Sequence, residues 1–311
     1  MQVDTGNYEH ATPWDDPDWR NDALEWIGAR LGRPIDQETI EVRVRPWSVV
    51  IRIPTDDRGP VWFKANPPMS AFEPRLAAAL AEWARGHTLE PIATDSERAW
   101  SLLPDGGPLL TDPSAESWAS LLGQYADLQR AVADRSGELL ALGVPDLRPE
   151  LLVERFDEYV VEVAEAKRID EVVKLRPQVV DWSQELAAGP VRAGLDHSDL
   201  HARQIFGPID GRYLFFDWGD ASVGHPFTSL LVPLRNMRGE FDDASVLRAR
   251  DAYLDRWPGD PAQLRRIAHV ACRLGPISRA MVWMRVFGDD RANVLDYVGG
   301  WLAELLEEPP I

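Results

Sequence analysis

Apolar residues recur at three- and four-residue spacing in the first segment with a clear pattern, DDPDWRNDALEWIGARLGRP. This spacing, with proline in the first turn and a Gly-Arg-Pro stop, predicts a helix that starts at Asp16 or Pro17. The pattern then changes to alternating or β-branched runs, in IEVRVR, WSVVIRIPT and VWFKAN. These runs predict a meander of three antiparallel strands, with DDRG as the turn before the third.

Helical spacing returns in SAFEPRLAAALAEWARG, which runs from Ser70 to Gly86. Ser70 and Glu73 have the spacing of a capping box, so they predict the start of this helix. The following segment, LEPIATDSERAWSLLPDGG, predicts two more strands with a turn at Asp95 and Ser96. The first part of the chain is therefore predicted to be a five-stranded sheet with one main helix.

Helical patterns dominate after the breaker Pro-Asp-Gly-Gly, in WASLLGQYADLQRAV, ELLVERFDEYVVEVAEA and VVDWSQELAAG. They are interrupted by QIFG and RYLFF, which are too short for helices and are joined by the turn sequence IDG. These two runs predict a β-hairpin. The expected class is α+β, with an N-terminal lobe over residues 1–104 and a larger, mostly helical lobe over residues 105–311.

Composition narrows the classes of function. The chain has 311 residues and a formal net charge of -18, which argues against non-specific binding to nucleic acid or to an anionic membrane. Cys272 is the only cysteine, so it has no internal disulfide partner and lies in an apolar helical pattern that predicts a buried thiol. No apolar window is long enough to span a bilayer and no signal sequence is visible, so a cytoplasmic protein is expected.

The predicted hairpin has a consequence for two aspartates. It should hold the loop before its first strand, DHSDLHARQ, beside the end of its second strand, FFDWGD, and so bring Asp199 close to Asp217. Two neighbouring carboxylates repel each other unless a cation or a proton lies between them. Mg²⁺ bound to a polyphosphate is a common solution, because Mg²⁺ takes one or two protein carboxylates together with phosphate oxygens and water.

These segments resemble known motifs. The run His-Ser-Asp-Leu-His-Ala-Arg-Gln from His197 to Gln204 is similar to the kinase catalytic loop, and Asp217-Trp218-Gly219 is similar to the kinase magnesium motif. The acidic, tryptophan-bearing form most resembles the aminoglycoside phosphotransferase family of small-molecule kinases. The resemblance covers about residues 40–300 and implies a bilobal, protein-kinase-like fold with a catalytic hairpin in its helical lobe.

The resemblance implies a role for each matching residue. Asp199 would accept or orient the proton of a substrate hydroxyl, and Asp217 would bind Mg²⁺. Gln204 stands where the family has asparagine and would offer an amide oxygen to a second metal. Lys64 would contact the nucleotide phosphates and be held by Glu73 or, as a second choice, Glu82. Without the resemblance, Lys64 reads as an exposed edge-strand lysine and Glu73 as a capping residue.

ATP or GTP is the expected co-substrate. The base would bond to the backbone near Leu102, Leu103 and Pro104, and backbone amides near Ser48 would cover the phosphates, because the chain has no glycine-rich loop between its first strands.

The resemblance also bears on the remaining polar residues of the motif. His197 is expected to brace the loop structurally, and His201 either stabilises charge in catalysis or is a satisfied loop histidine. Asp220 would fix the metal loop or face the substrate. His225 and Ser229 stand where the family frequently has aspartates, which makes this chain a divergent member.

Two other functions stay open. Gln204 and the missing glycine loop are also typical of a nucleotide-binding pseudokinase, and the histidines at 197, 201 and 225 could belong to a zinc hydrolase.

The acceptor is expected to be a small hydroxylated molecule, cationic or sugar-like. Glu240, Asp242 and Asp243 could bind amines, but they equally suit a helix start. Trp283 and Trp301 could stack on a sugar, but their helical spacing favours a place in the core.

Overall fold

The computed structural model describes residues 2–6, 14, 16–55, 59–288 and 290–311. By internal contacts the chain separates into two compact units. The first comprises Met1–Pro108 and Phe216–Gly219, and the second comprises Leu109–Phe215 and Asp220–Ile311. The short segment that contains the Asp-Trp-Gly motif thus groups with the N-terminal part of the chain.

The described part of the first unit contains six strands and two α-helices. In chain order these are β1 (Gln2–Asp4), α1 (Pro17–Leu31), β2 (Glu41–Arg45), β3 (Ser48–Ile53), β4 (Val61–Ala65), α2 (Glu73–Trp83), β5 (Ala93–Asp95) and β6 (Trp100–Leu103). The predicted N-terminal helix and all five predicted strands are present. Residues 56–58 of the predicted DDRG turn lie outside the described residues.

The sheet has the order β1-β2-β3-β4-β6-β5. Its sixth strand, β1, was not predicted; it pairs in parallel with β2, whereas the other neighbours are antiparallel. A three-residue strand is too short to show an alternating pattern by itself. Strand β5 is equally short, but the turn at Asp95 and Ser96 before β6 predicted it.

One face of the sheet packs against α1. Asp16 caps this helix by accepting a hydrogen bond from the Asp18 N–H, and the helix ends at Gly32 in the left-handed region, with φ of 69°. Trp26 on α1 packs at near-perpendicular geometry against Phe63 and Trp100 of the sheet. Because side chains alternate along β4, buried Phe63 points to this core and Lys64 projects from the opposite face.

The capping-box prediction at Ser70 is wrong. The α-helix begins at Glu73, its N-cap is Phe72 without a side-chain cap, and a separate 3₁₀ turn spans Pro68–Ser70. Ser70 Oγ donates instead to the Gly219 carbonyl at 3.1 Å. Glu73 is therefore free to face Lys64 rather than the helix start.

The second unit is mostly helical. Its elements are α3 (Ala115–Ala131), α4 (Ser136–Ala141), α5 (Leu152–Glu162), α6 (Ile169–Val173), α7 (Arg176–Ala187), β7 (Gly194–Asp196), β8 (Ile205–Ile209), β9 (Arg212–Phe215), β10 (Ser222–Gly224), α8 (Leu231–Arg238), α9 (Asp243–Leu254), α10 (Pro261–Phe287), α11 (Arg291–Asn293) and α12 (Gly299–Ala303). Short 3₁₀ turns of this unit lie at Pro149–Leu151, Ala202–Gln204, Pro226–Leu230 and Glu304–Leu306, and a π turn lies at Val294–Val298. A further 3₁₀ turn, Trp218–Asp220, begins in the segment that groups with the first unit. None of the described helices combines the length and the apolar character that a membrane span requires.

The predicted hairpin is confirmed. Strands β8 and β9 are antiparallel, with Ile209 opposite Arg212 and Ile205 opposite Phe215. Asp210 and Gly211 form the turn with φ of 50° and 76°, the left-handed conformation that a two-residue hairpin turn requires. A second pair of short strands, β7 and β10, flanks the hairpin in sequence and was not predicted.

Candidate active site

Lys64 lies between two carboxylates of the first unit. Its Nζ is 2.8 Å from Glu73 Oε1 and 2.7 Å from Glu73 Oε2, and it also donates a hydrogen bond to Asp217 Oδ1. The Lys64 and Glu73 side chains are 12% and 7% exposed, whereas the Asp217 side chain is 38% exposed. Glu73 is thus the ion-pair partner of Lys64, as the sequence analysis preferred over Glu82.

The charges in this cluster support each other. Burial disfavours the charged form of Lys64, but the Asp217 and Glu73 carboxylates outweigh burial and raise the pKa of Lys64 above its usual value. Burial also raises the pKa of Glu73, against the opposing effect of Lys64. Asp217 has a φ of 67°, a left-handed conformation that an aspartate tolerates better than most residues. Lys64 therefore stays protonated and holds Asp217 in a fixed position.

The residues predicted to bind the nucleotide lie in the same sheet. Ser48 begins β3 opposite Arg45 and its side chain is buried. Leu102 is fully buried and its carbonyl already accepts a hydrogen bond from the Ile92 N–H at 2.8 Å. Leu103 and Pro104 at the end of β6 are half-buried. Among the three residues predicted near the base, the Leu102 carbonyl is thus already used as an acceptor within the sheet.

Asp199 lies in the second unit, in the loop before β8, and is held from several sides. Its Oδ1 is 3.0 Å from Arg279 Nη2, and its Oδ2 accepts a hydrogen bond from Gln204 Nε2 at 3.1 Å. His201 Nε2 lies 3.5 Å from the same Oδ2. The side chain remains 21% exposed, so it is fixed in place and still reachable.

Arg279 was missed by sequence reasoning. It lies on α10 with a side chain that is 5% exposed, and its Nη1 donates to the Ser198 carbonyl at 3.0 Å and to Asp220 Oδ2 at 3.2 Å. It therefore joins Asp199 to Asp220, which the resemblance had suggested would fix the metal loop. The only signal in the sequence is one charged residue within an apolar helical run, PISRAMVW.

A buried polar network supports the loop that carries Asp199. Asp196 is fully buried and accepts hydrogen bonds from Ser229 Oγ at 2.6 Å and from the Ser198 N–H at 3.0 Å. Ser229 Oγ also accepts a hydrogen bond from the His197 N–H at 3.1 Å. Burial raises the pKa of Asp196, and the donors from Ser229 and Ser198 oppose this effect. Ser229, which stands where the resemblance leads us to expect an aspartate, thus donates a hydrogen bond to the Asp196 carboxylate.

The other two histidines considered in the sequence analysis, His197 and His225, are buried. His197 packs edge-on against Tyr125. His225 is 2% exposed, accepts a hydrogen bond from the Phe227 N–H through Nδ1, and has a pKa that burial lowers to about 3. Within the described ranges no three His, Cys, Asp or Glu side chains are arranged to hold a metal ion, so the zinc-hydrolase alternative gains no support.

A pocket of about 470 Å³ lies beside Asp199 in the second unit. It is lined by Asp199, His201, Ala202, Arg203, Val232, Arg235, Asn236 and Trp301. Trp301 is therefore a pocket residue, against the preference for a core position. Trp283 is half-buried and stacks on Tyr297, with ring centres 4.6 Å apart.

The acidic cluster proposed for binding amines has another use. Asp242 is the N-cap of α9 and accepts a hydrogen bond from the Ser245 N–H at 2.8 Å. Asp243 lies 3.9 Å from Arg238. Neither of these residues nor Glu240 lines the pocket beside Asp199. Asp242 therefore has the other predicted role, that of a residue at a helix start.

Each unit offers an oxygen that suits a hard cation. One is the partly exposed carboxylate of Asp217. The other is Gln204 Oε1, which is buried and has no hydrogen-bond partner among the described residues, although Gln204 Nε2 is bonded to Asp199. A buried amide oxygen without a donor is costly, and a metal ligand role would satisfy it.

Comparison with known proteins agrees with this arrangement. The model of the phosphotransferase enzyme family APH matches residues 28–267, which is more than half of the chain. The chain therefore belongs to this phosphotransferase family. Among curated proteins, no sequence matches it significantly.

Solved structures share the fold at low sequence identity. Macrolide 2'-phosphotransferase MphH from Brachybacterium faecium is 21% identical with a TM-score of 0.63, and the match covers 93% of this chain and 99% of that one. Ethanolamine kinase from Plasmodium vivax is 13% identical with a TM-score of 0.63, over 94% of this chain and 89% of that one. A GDP and kanamycin complex of APH(2")-IIia is 14% identical with a TM-score of 0.60, over 93% and 97%. The predicted α+β, kinase-like fold is confirmed.

Proposed function

We propose that this protein transfers the γ-phosphate of ATP or GTP to a hydroxyl group of a small molecule. The observation that carries the proposal is the buried Lys64–Glu73 pair whose lysine also holds Asp217. A lysine on a strand, braced by a helix glutamate, can contact two phosphates while its charge stays fixed. The family match and the GDP-bound structural neighbour support a nucleotide as the donor.

The proposed reaction assigns the proton to Asp199. The acceptor oxygen bonds to the γ-phosphorus, the bond from that phosphorus to the β–γ bridging oxygen breaks, and the nucleoside diphosphate leaves. Asp199 takes the hydroxyl proton, or orients it, as the new bond forms. Its fixed yet reachable carboxylate, which lines the pocket, suits this role.

Other residues would bind and position the substrates. Asp217 and Gln204 would hold Mg²⁺, which neutralises charge on the phosphates when bound. Lys64 would contact the phosphates, with Ser48 near them and Leu103 and Pro104 near the base. His201, 3.5 Å from Asp199, would stabilise charge at the reacting hydroxyl, whereas His197 and Asp220 would hold the loops.

The decisive experiment is nucleotide hydrolysis without an acceptor, measured as diphosphate release from ATP and from GTP with and without Mg²⁺. We expect slow, Mg²⁺-dependent turnover that Asp217→Asn abolishes. Thermal stabilisation by nucleotide with no turnover, in this assay and with a panel of hydroxylated acceptors, would instead identify a pseudokinase.

A further inference from the structure

We propose that the acceptor carries an anionic group, a carboxylate or a phosphate ester, in addition to its reacting hydroxyl, and that Arg203 and Arg235 bind this group. The inference rests on the proposed function, because it assigns the pocket beside Asp199 to the acceptor.

The pocket has the size and the composition of a site for a small polar ligand. Its volume of about 470 Å³ lies within the range of small-molecule sites. Asp199 lies in its lining, Val232 and Trp301 give apolar surface, and Asn236 adds an amide. A hydroxyl bound next to Asp199 would place the rest of the acceptor among these side chains.

Two guanidinium groups dominate the charge of this lining. Arg203 is exposed and makes no hydrogen bond or ion pair with any described residue. Arg235 is 45% exposed, pairs with Glu304 through Nη2 at 2.7 Å, and lies over the Trp301 ring at 5.0 Å. Glu304 thus engages one edge of Arg235 and leaves its remaining donors to the pocket.

The carboxylates near this pocket pair with Arg279 and Arg235 and leave Arg203 without a partner among the described residues. Asp199 is paired with the buried Arg279, which also takes Asp220. In a chain with a net charge of -18, this lining has two arginines against one carboxylate, and Arg203 keeps its charge unpaired among the described residues while Glu304 pairs with Arg235. A polycationic acceptor would meet two like charges there, whereas a carboxylate or phosphate would gain charge-assisted hydrogen bonds.

The test uses acceptors that differ only in charge. One series is glycerate, glycerol phosphate, glycerol and aminopropanediol, and a second is gluconate, glucitol and glucamine. Binding is measured by calorimetry and transfer by diphosphate release with the preferred nucleotide. We expect the anionic members to bind at least about tenfold more tightly than their neutral and cationic partners. Comparison of glycerate with glycerol phosphate decides between the two kinds of anion.

Variants assign the preference to the arginines. Arg203→Gln and Arg235→Gln should each weaken binding of the anionic members about tenfold and affect the neutral members much less, and Arg203→Glu should shift the preference to the amines. Arg192→Gln, at an exposed arginine outside the pocket lining, is the matched control. Melting temperatures confirm that each variant is folded.

The outcomes separate this inference from the proposed function. Tightest binding of neutral or cationic members, or an anion preference that survives both Arg→Gln changes together, overturns the inference. If these variants instead increase the KM for nucleotide rather than for acceptor, the arginines bind the donor phosphates, and the inference is overturned as well. Absence of Mg²⁺-dependent turnover, both without an acceptor and with the acceptor panel, refutes the proposed function, while the calorimetric preference is read independently of turnover.

Discussion

Lys64 and Arg279 are two buried cations that each join two carboxylates, one in each unit of the chain. Lys64 joins Glu73 to Asp217, and Arg279 joins Asp199 to Asp220. Lys64 is a compact charge on a strand, whereas the planar guanidinium of Arg279 also donates to the Ser198 carbonyl. The same electrostatic arrangement is thus built from different geometry, and the two cations should respond differently to substitution.

The largest expected effect comes from removing a carboxylate that Arg279 holds. Asp199→Asn keeps the shape of the side chain but cannot accept the hydroxyl proton. We expect kcat for phosphotransfer to fall by about 10²- to 10⁴-fold with nucleotide affinity nearly unchanged. Steady-state kinetics and calorimetric nucleotide binding measure both quantities.

A second aspartate provides the control for this change. Asp210 lies exposed in the hairpin turn with φ of 50°, where asparagine is tolerated. Asp210→Asn should keep full activity. Full turnover by Asp199→Asn would show that Asp199 is not the proton acceptor.

The next effect concerns Lys64. Lys64→Met leaves the buried Glu73 carboxylate without its cation, which should lower the free energy of unfolding by about 3–5 kcal/mol. Urea unfolding measures the loss. The double variant Lys64→Met with Glu73→Gln should recover part of the stability, because no uncompensated charge remains buried.

The pH dependence of this variant gives a further check. Burial raises the pKa of Glu73, so the folded state binds its proton more readily than the unfolded state, and stability falls as pH rises above the usual range of a carboxyl. Without Lys64 this trend should steepen, and Lys64→Met should lose less stability at about pH 5 than at about pH 8. The control is Lys174→Met, at an exposed lysine. An equal loss at both pH values would contradict a buried, ionisable Glu73.

The contrast between the two cations also explains what the sequence could predict. Lys64 stands in a five-residue strand with an alternating pattern, and Glu73 begins the next α-helix, so a local motif contains both. Arg279 acts on residues about eighty positions earlier, and no periodic pattern links a helix residue to a loop at that separation. Local elements were therefore predictable, and the long-range partner was not.

Other differences between the sequence predictions and the structure also arise because local patterns do not report tertiary contacts. Strand β1 and the pair β7 and β10 are three residues long, so they carry no readable alternation. Ser70 matched the local pattern of a helix cap, but its hydroxyl bonds to Gly219, far along the chain. Trp301 has helical spacing, which does not distinguish a core residue from one that lines a pocket. In each case a tertiary contact, which a local sequence pattern does not reveal, determined the structure.

Arg279 itself can be tested with a conservative change. Arg279→Lys keeps the charge but cannot reach Ser198, Asp199 and Asp220 together, so the Asp199 carboxylate should lose its fixed orientation. We expect kcat to fall by about 100-fold with the nucleotide KM unchanged, a split that a general loss of stability would not produce. Arg273→Lys is the matched control, since Arg273 lies on the same helix and pairs with Glu308. An equal loss of kcat in Arg279→Lys and Arg273→Lys would show that Arg279 has no specific role in positioning Asp199.

The smallest expected effect concerns His225, in the segment that supports the Asp199 loop. His225 is buried and its pKa is lowered to about 3, so the unfolded state takes up a proton below about pH 6.5 while the folded state does not. Stability from this residue is present above about pH 6.5 and is lost as pH falls, by about 2 kcal/mol between about pH 7 and pH 5. His225→Asn should lack this loss, because asparagine can cap the Phe227 N–H without titrating.

The difference in stability between the wild type and His225→Asn at each pH isolates the contribution of His225 from that of other groups. Burial raises the pKa of Asp196, which acts with the opposite sign, but this contribution is common to both proteins and cancels in the difference. Urea unfolding at several pH values, with His269→Asn on α10 as control, gives the two curves. Parallel curves for wild type and His225→Asn would mean that His225 titrates in the folded state as it does in the unfolded chain. The support of the Asp199 loop would then be open to water, unlike the buried Lys64–Glu73 pair.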